Sequence, residues 1–361
     1  MKADLKASLY GKLFCQLFYN NSLLSEMILI FSKSKAEITT EQVIDWIQFY
    51  DQPWKRINGS DLENFDLYIS LDESSDKIRI GDYLLNADDV NVVWFRRWQD
   101  NIPYKELVAF DDTISYEVKS HYKLERKKLS QLLFDTFSDI HWLSFPDDDF
   151  NKFKALRVAK KVGLSIPATY IVNNIKDLKS VVNSEDKIIT KCISESPAYF
   201  SKKHSYMMYT REFIYEEMEI EGDRFFPTLF QTKIEKEYEL RIFYLDGVCY
   251  SMAIFSQRDD RTRDDFRNYN FSKPNRNVPY KLPASVEEKI VLLMQRLEMD
   301  TGSIDMVKSI DGEYIFLEVN PVGQFGMTSE PCNYYLEKKV AEYLVDKNVD
   351  HGRKSERSVS R

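Results

Sequence analysis

IDMVKSIDGEYIFLEVN, residues Ile304–Asn320, decides how the chain is read. Apolar side chains fill most of it, yet it carries Asp305, Glu318 and Asn320. Asp311-Gly312 is a strong signal for a two-residue hairpin turn, whose central positions take positive φ. With the turn there, Ile310 pairs with Glu313 and Asp305 lies directly opposite Glu318. Side chains alternate along a strand, so Asn320 shares their face. Two opposed carboxylates repel, and burying them unpaired costs more still. An oxygen-only set of two carboxylates and one amide suits a hard cation, Mg²⁺ above all. A solvated hairpin edge with incidental charges is the bland alternative. The apolar surroundings and the following Pro321-Val322-Gly323 loop speak against it. The register is the sensitive point, because a one-residue bulge turns Asp305 to the other face.

Two more charges sit inside apolar runs. Lys191 closes Ile188-Ile189-Thr190, and Arg241 lies within Leu240–Phe243. Buried cations need partners. Ion pairs with Glu235 or Glu239 are one account. Taken with the acidic hairpin, the two cations suggest a polyanion held by cations on one side and by bridged metal on the other. A nucleoside triphosphate at a phosphoryl-transfer site has that requirement. The loop SQRDDRTRDDFRNYNFSKPNR, residues 256–276, is dense in both charges. It reads as a solvated loop, or as a lid over phosphates or a peptide in which Arg258, Arg263 and Arg267 act.

Bulk properties narrow the class. The 361 residues exceed one simple core, so two or three subdomains are expected. No segment has the length and apolarity to span a bilayer. A net charge of −8 turns expectation away from nucleic acid. Cys15, Cys192, Cys249 and Cys332 are scattered, without CxxC, and read as reduced thiols of a cytoplasmic protein. The histidines form no HExxH, which weakens a zinc hydrolase. There is no GxGxxG and no GxxxxGK[ST], so a nucleotide is not gripped by a Rossmann turn or P-loop.

Along the chain, residues 1–26 look like an appended arm, with Met27 as the natural start. Residues 27–115 alternate strand and helix as a small α/β domain, with Thr39 or Thr40 capping its first helix. "VNVVWFRRW" is a buried strand ending in Arg96 and Arg97. Residues 116–150 read as a long charged helix linking to the next domain. Residues 151–226 form a central α+β subdomain and 227–346 a C-terminal one, with a hairpin turn at Asp246-Gly247. Residues 347–361 are polar and basic and read as disordered.

The order "NKFKAL…GLSIPATYIV", "IITKCI", "LFQTKI…ELRIFYLDG", "DFRNYN", "GSIDMV…FLEVNP" resembles the ATP-grasp ligases over roughly 150–325. Its most specific element is the D…E-x-N-P ending. The long form "EVNPVGQFGMTSEPCNYYLEKKVAEYL" looks more particularly like the ligases of graspetide biosynthesis, microviridin-type enzymes and grasp-with-spasm maturases among them. The resemblance implies an α/β (α+β) ATP-grasp fold: an N-terminal α/β domain, then central and C-terminal domains whose sheets clamp ATP. It assigns Lys152 and Lys191 to the nucleotide phosphates and the backbone of Gln231, Thr232, Lys233 and Ile234 to adenine. It places Glu239 near the ribose, Arg241 at the γ-phosphate and Arg267 on the phosphate side. Asp305, Glu318 and Asn320 become Mg²⁺ ligands. The loop "CISESPAYFSKKH" after Lys191 departs from the family in lacking glycine, so Ser194 or Ser196 would close over the phosphates.

The implied activity is ATP-dependent ligation. Asp or Glu side chains of a ribosomal precursor peptide become acyl phosphates and are joined to Thr or Ser hydroxyls or Lys amines as macrocycles. The leader part docks away from the chemistry, and a homodimer is favoured. Two alternatives stand beside it: a ligase adding a free amino acid, and a non-catalytic protein that binds nucleotide or peptide. The intact Asp305, Glu318, Asn320 and Arg241 set argues against the last.

Overall fold

The computed structural model describes residues 26–71, 77–98, 115–144, 146, 150–194, 198–200, 204–217, 222–257 and 272–359. They fall into two compact units. One comprises the described residues up to Ser144 and those from Glu337 onward; the other is Pro146–Leu336.

The first unit is built on β1 (Met27–Ser32), α1 (Ile38–Phe49), β2 (Trp54–Asn58) and a single helical turn α2 (Asp61–Asn64). A small antiparallel sheet follows, β3 (Leu67–Ser70), β4 (Lys77–Ile80) and β5 (Tyr83–Leu85), and then β6 (Val90–Phe95). Helix α3 (Ser115–Asp135) and β7 (His141–Leu143) complete the first pass of the chain. The main sheet is parallel throughout, in the order β2-β1-β6-β7. Ile28, Leu29, Ile30 and Phe31 are fully buried on both faces, which is why β1 reads as an unbroken apolar run. Phe31 packs against Trp98, Phe134, Phe137 and Trp142.

Four expectations change here. Residues 116–150 are not merely a linker: α3 buries Leu133 and Phe134 in this core, and β7 extends the sheet. Neither Thr39 nor Thr40 caps α1. Glu37 holds the cap position, and the Thr40 hydroxyl donates to its carboxylate at 3.2 Å. The tail from residue 347 is not disordered through the described residues, because helix α8 runs Leu336–Val359. The chain from Glu337 belongs with the first unit rather than the C-terminal subdomain. Tyr50 donates to Glu342, Asn91 to the Asn348 carbonyl, and Asn348 to Gln52. A polar, basic composition marked residues 347–361 as disordered, but such composition is compatible with helix once one face docks.

The second unit opens with α4 (Lys152–Lys161), capped by Asn151, whose side chain accepts from the Phe153 N–H at 2.8 Å. Then come β8 (Thr169–Asn174), α5 (Ile175–Ser184), β9 (Ile188–Lys191), the hairpin β10 (Ala198–Phe200) and β11 (Ser205–Met207), β12 (Arg211–Phe213) and β13 (Arg224–Thr232). β12-β9-β13-β8 form an antiparallel sheet with α5 on one face, around Leu178, Val181, Ile188 and Phe230. After residues 233–235 the chain enters β14 (Lys236–Leu245), β15 (Val248–Phe255), β16 (Arg276–Tyr280), α6 (Ala284–Arg296), β17 (Thr301–Ser309), β18 (Tyr314–Asn320) and the short helix α7 (Gly326–Cys332). These strands form a second antiparallel sheet, β16-β15-β14-β17-β18. Its turn at Asp246-Gly247 is the expected two-residue one, with φ of 43° and 88°. One face carries Leu240, Ile242, Ile304, Met306, Phe316 and Val319 onto α4 and α6 and forms the main core.

Candidate functional site

The acidic hairpin reaches its expected pairing by an unexpected route. The turn is a three-residue loop, Ile310–Gly312, with the Ser309 N–H bonded to the Glu313 carbonyl at 2.9 Å and Gly312 at φ 85°. That offset pairs Lys308 with Tyr314 and Met306 with Phe316. Carried on, it would set Asp305 against Leu317. A bulge intervenes at Leu317, and Asp305 lies opposite Glu318 after all. The bulge also decides direction. Phe316 and Val319 both face the core, so Glu318 and Asn320 are turned to the opposite face with Asp305. A turn residue too many and a bulge cancel.

The row continues into β14, where Arg241 is the cross-strand neighbour of Asp305. Arg241 is buried, and its Nη1 donates to both Asp305 oxygens at 2.7 Å. The partner is thus Asp305 rather than Glu235 or Glu239. Arg241 Nε is buried without a hydrogen-bond partner. Asn320 is pinned by its own turn: its Oδ1 accepts from the Val322 N–H, and its carbonyl from the Gly323 N–H, both at 3.1 Å. Gly323 takes φ 61°, and a Cβ there would sit 3.2 Å from Thr301 Oγ1. Phe325 packs on Phe243, two residues beyond Arg241 on β14, with ring centroids 5.2 Å apart.

Glu239 lies on the same face, two residues before Arg241. It accepts from Lys236 Nζ at 2.7 Å and Ser256 Oγ at 2.8 Å. Burial raises its pKa above the usual carboxylate range, with Asp305 adding to the rise and Lys236 opposing it. The Lys236–Glu239–Ser256 linkage is not evident in the sequence, since 236 and 239 lie on opposite sides of an ideal pleat. A register irregularity between Lys236 and Tyr238 brings them together.

On the central sheet, Lys191 ends β9 opposite Leu229. Lys152, the first residue of α4, donates to the carbonyls of Cys192 at 2.7 Å and Ser194 at 3.0 Å. It therefore meets the glycine-free loop at its root. Ser194 enters through its carbonyl, whereas Ser196 lies outside the described residues. In the 231–234 segment joining the two sheets, Gln231 is buried and donates to Thr169 Oγ1 at 2.8 Å. The Thr232 and Lys233 N–H groups are taken by the Ala168 and Lys187 carbonyls. Side chains hold the segment further: Thr232 bonds Glu185, and Lys233 bonds Glu212. Ile234 follows them, half-buried, ahead of β14. Arg258, Arg263 and Arg267 lie outside the described residues.

Among the described residues no three His, Cys, Asp or Glu side chains cluster as a metal cage. Two carboxylates and an amide do not amount to one. They match the sparse set with which Mg²⁺ is held when phosphate oxygens and water complete its octahedron. A carboxylate offers about four lone-pair positions, so the bonds from Arg241 do not exclude a metal contact at Asp305. The donor set therefore fits the ion. The described cysteines Cys192, Cys249 and Cys332 are free, and no described helix is long and apolar enough to cross a membrane.

No family model matches the chain, and no curated protein matches it by sequence. Solved structures do match. A RiPP-associated ATP-grasp ligase from Chryseobacterium gregarium, in complex with ADP and a leader and core peptide, superposes at a TM-score of 0.75 with 23% identity, over 89% of this chain and 97% of that one. The macrocyclase MdnC from Microcystis aeruginosa, bound with precursor peptide MdnA, gives 0.72 with 24% identity, over 89% and 99%. D-alanyl-alanine synthetase A from Vibrio cholerae gives 0.53 with 12% identity, over 91% and 100%. The chain has the ATP-grasp fold.

Proposed function

We propose that this chain is an ATP-dependent macrocyclising ligase. It activates Asp or Glu side chains of a ribosomal precursor peptide as acyl phosphates and joins them to Thr or Ser hydroxyls, or to Lys amines, of the same peptide. The observation that carries it is the row Arg241–Asp305–Glu318, with Asn320 turned to the same face by the Leu317 bulge. Similar structures bound to ADP with a leader and core peptide, or to a precursor peptide, support the substrate class. PsnB, another similar structure, is described as complexed with minimal precursor, Mg and ADP.

In the first step a peptide carboxylate oxygen attacks the γ-phosphorus, the bond to the β-phosphate oxygen breaks, and ADP leaves. In the second, the hydroxyl or amine attacks the acyl carbon, loses its proton and expels phosphate. Net, one water equivalent leaves the peptide per ring. Arg241, Lys191 and Lys152 oppose the charge of the transferring phosphoryl group, and in a protected site such preorganised charge is worth far more than in water. Mg²⁺, held by Asp305, Glu318 and Asn320, would supply charge neutralisation between phosphate oxygens. Gln231–Ile234 would receive the adenine, with Ile234 the hinge amide not committed to Ala168 or Lys187. Glu239 would lie toward the ribose.

The test is the intact mass of a candidate precursor peptide, rich in Thr and in Glu or Asp and encoded by a neighbouring gene, after incubation with the protein, ATP and Mg²⁺. Loss of one water per ring with matching ADP release is expected. A gain equal to one amino acid would replace macrocyclisation by addition, and no change with intact ADP binding would refute ligation of that peptide.

A further inference from the structure

The main sheet of the first unit reverses its order at β1, because β2 lies on one side and β6 on the other. Ligands of open parallel sheets bind outside the carboxyl ends of the strands at such a point. Lys33 leaves the end of β1; Arg96 and Arg97 leave the end of β6, where the Arg96 N–H still bonds the Phe31 carbonyl. The Glu37 carboxylate lies among them. Glu37, buried at the start of α1, accepts from Arg97 Nη1 at 2.8 Å, with Lys33 Nζ at 3.7 Å and Arg96 Nε at 3.9 Å. Arg96 is buried beneath, and burial pushes its pKa down to about 10. The other two cations open outward, with 24% of the Lys33 side chain and 30% of the Arg97 side chain exposed. Ser32 Oγ, at the end of the same strand, is buried with no hydrogen-bond partner.

Glu37 orients two partly exposed cations that share it, in an arrangement that preorganises a fork. We propose that Lys33 and Arg97, spaced by Glu37, clamp a carboxylate of the substrate, an acidic side chain of the peptide distinct from the one being activated. A carboxylate is the anion that the acidic peptide of the assignment above offers, and the planar guanidinium of Arg97 matches it in shape. This deepens the peptide-ligase assignment above and rests on it.

The test uses the full-length protein and two fluorescein-labelled hexapeptides, Thr-Glu-Thr-Glu-Thr-Glu and its Gln counterpart, read by anisotropy. The Glu peptide should bind the unaltered protein at least about tenfold tighter. That ratio should fall toward one in Lys33→Met/Arg97→Gln and return in part with Arg97→Lys, which also guards against simple misfolding. ADP affinity, measured in parallel, should stay within about twofold. An unchanged ratio in the double variant overturns the clamp, as does equal binding of both peptides to the unaltered protein. Displacement of the Glu peptide by millimolar inorganic phosphate would overturn the choice of a carboxylate. Water loss in the mass assay with an unmoved ratio removes the clamp alone. A clamp that behaves as described beside a failed mass assay removes the ligase assignment instead.

Discussion

Replacing Asp305 by Ala should destabilise Pro146–Leu336 by about 3 kcal/mol, and removing Arg241 as well should restore most of it. The pair is bonded at 2.7 Å, with 7% of the Arg241 side chain and 17% of the Asp305 side chain exposed. Taking the charge centres as about 4 Å apart, their attraction is about 4 kcal/mol at an effective dielectric of about 20. Desolvation offsets much of that, so the intact pair contributes little net stability. Breaking it is another matter, because a buried guanidinium is left without its carboxylate. Such losses run about 3–5 kcal/mol, and the partial exposure of Asp305 places this one at the low end. For a unit of this size about 3 kcal/mol lowers Tm by about 6–12 °C. The assay is scanning calorimetry alongside tryptophan fluorescence. All five tryptophans, Trp46, Trp54, Trp94, Trp98 and Trp142, lie in the first unit, so a calorimetric transition without a fluorescence change belongs to the second. Arg241→Met/Asp305→Leu should melt within about 3 °C of the unaltered protein while forming no product. A Tm unchanged in Asp305→Ala, or a double variant as unstable as the single one, would refute the reasoning.

Three further outcomes are expected. Lys152→Ala removes the bonds to the Cys192 and Ser194 carbonyls, so ADP affinity by calorimetric titration should fall about tenfold, or about 1.4 kcal/mol; an unchanged Kd would separate Lys152 from the nucleotide. Gly59→Ala puts a Cβ 1.9 Å from the Trp98 carbonyl oxygen, a backbone atom that cannot rotate away, and should cost the first unit about 3 kcal/mol or more, seen as an early tryptophan fluorescence transition. Glu239 has a raised pKa, so above the usual carboxylate range the folded chain keeps a proton that the unfolded chain has released. Stability therefore falls as pH rises through that window, and Glu239→Gln should flatten the slope of Tm against pH for the second unit; an equal slope in both proteins contradicts the assignment.

The elements that sequence predicts well are those with one dominant signal. Asp246-Gly247 forms its two-residue turn because both residues tolerate positive φ and nothing competes. Asp311-Gly312 carries the same dipeptide, yet the turn widens to three residues, since Ser309 bonds Glu313 through both its backbone and its Oγ. Asp305 and Glu318 were nonetheless placed opposite each other, through an error in the turn and an unseen bulge that cancel. Arg241 was legible as a buried cation but not its partner, which depends on which strand lies alongside β14. The Lys236–Glu239 contact needed a pleat irregularity that no local pattern announces. The run of helix α8 past residue 346 was hidden by its polar, basic composition, which reports contact with water and not backbone conformation. The Lys33–Glu37–Arg97 cluster was half visible as a strand ending in two arginines. Its carboxylate comes from a loop some 60 positions earlier in the chain.

The bulge at Leu317 makes β18 a strand with a phase slip. Positions 314–316 and 318–320 follow the same alternation but half a period out of step. A saturation scan across the strand should therefore show two tolerance patterns that cannot be overlaid by any single every-other-residue rule: Phe316 and Val319 intolerant of polarity, Glu318 and Asn320 intolerant of everything but oxygen ligands. The core face and the face proposed to hold Mg²⁺ are thereby set by different halves of one short strand. A natural chain that shortened the 310–312 loop would have to lose the bulge in the same lineage, or lose the site.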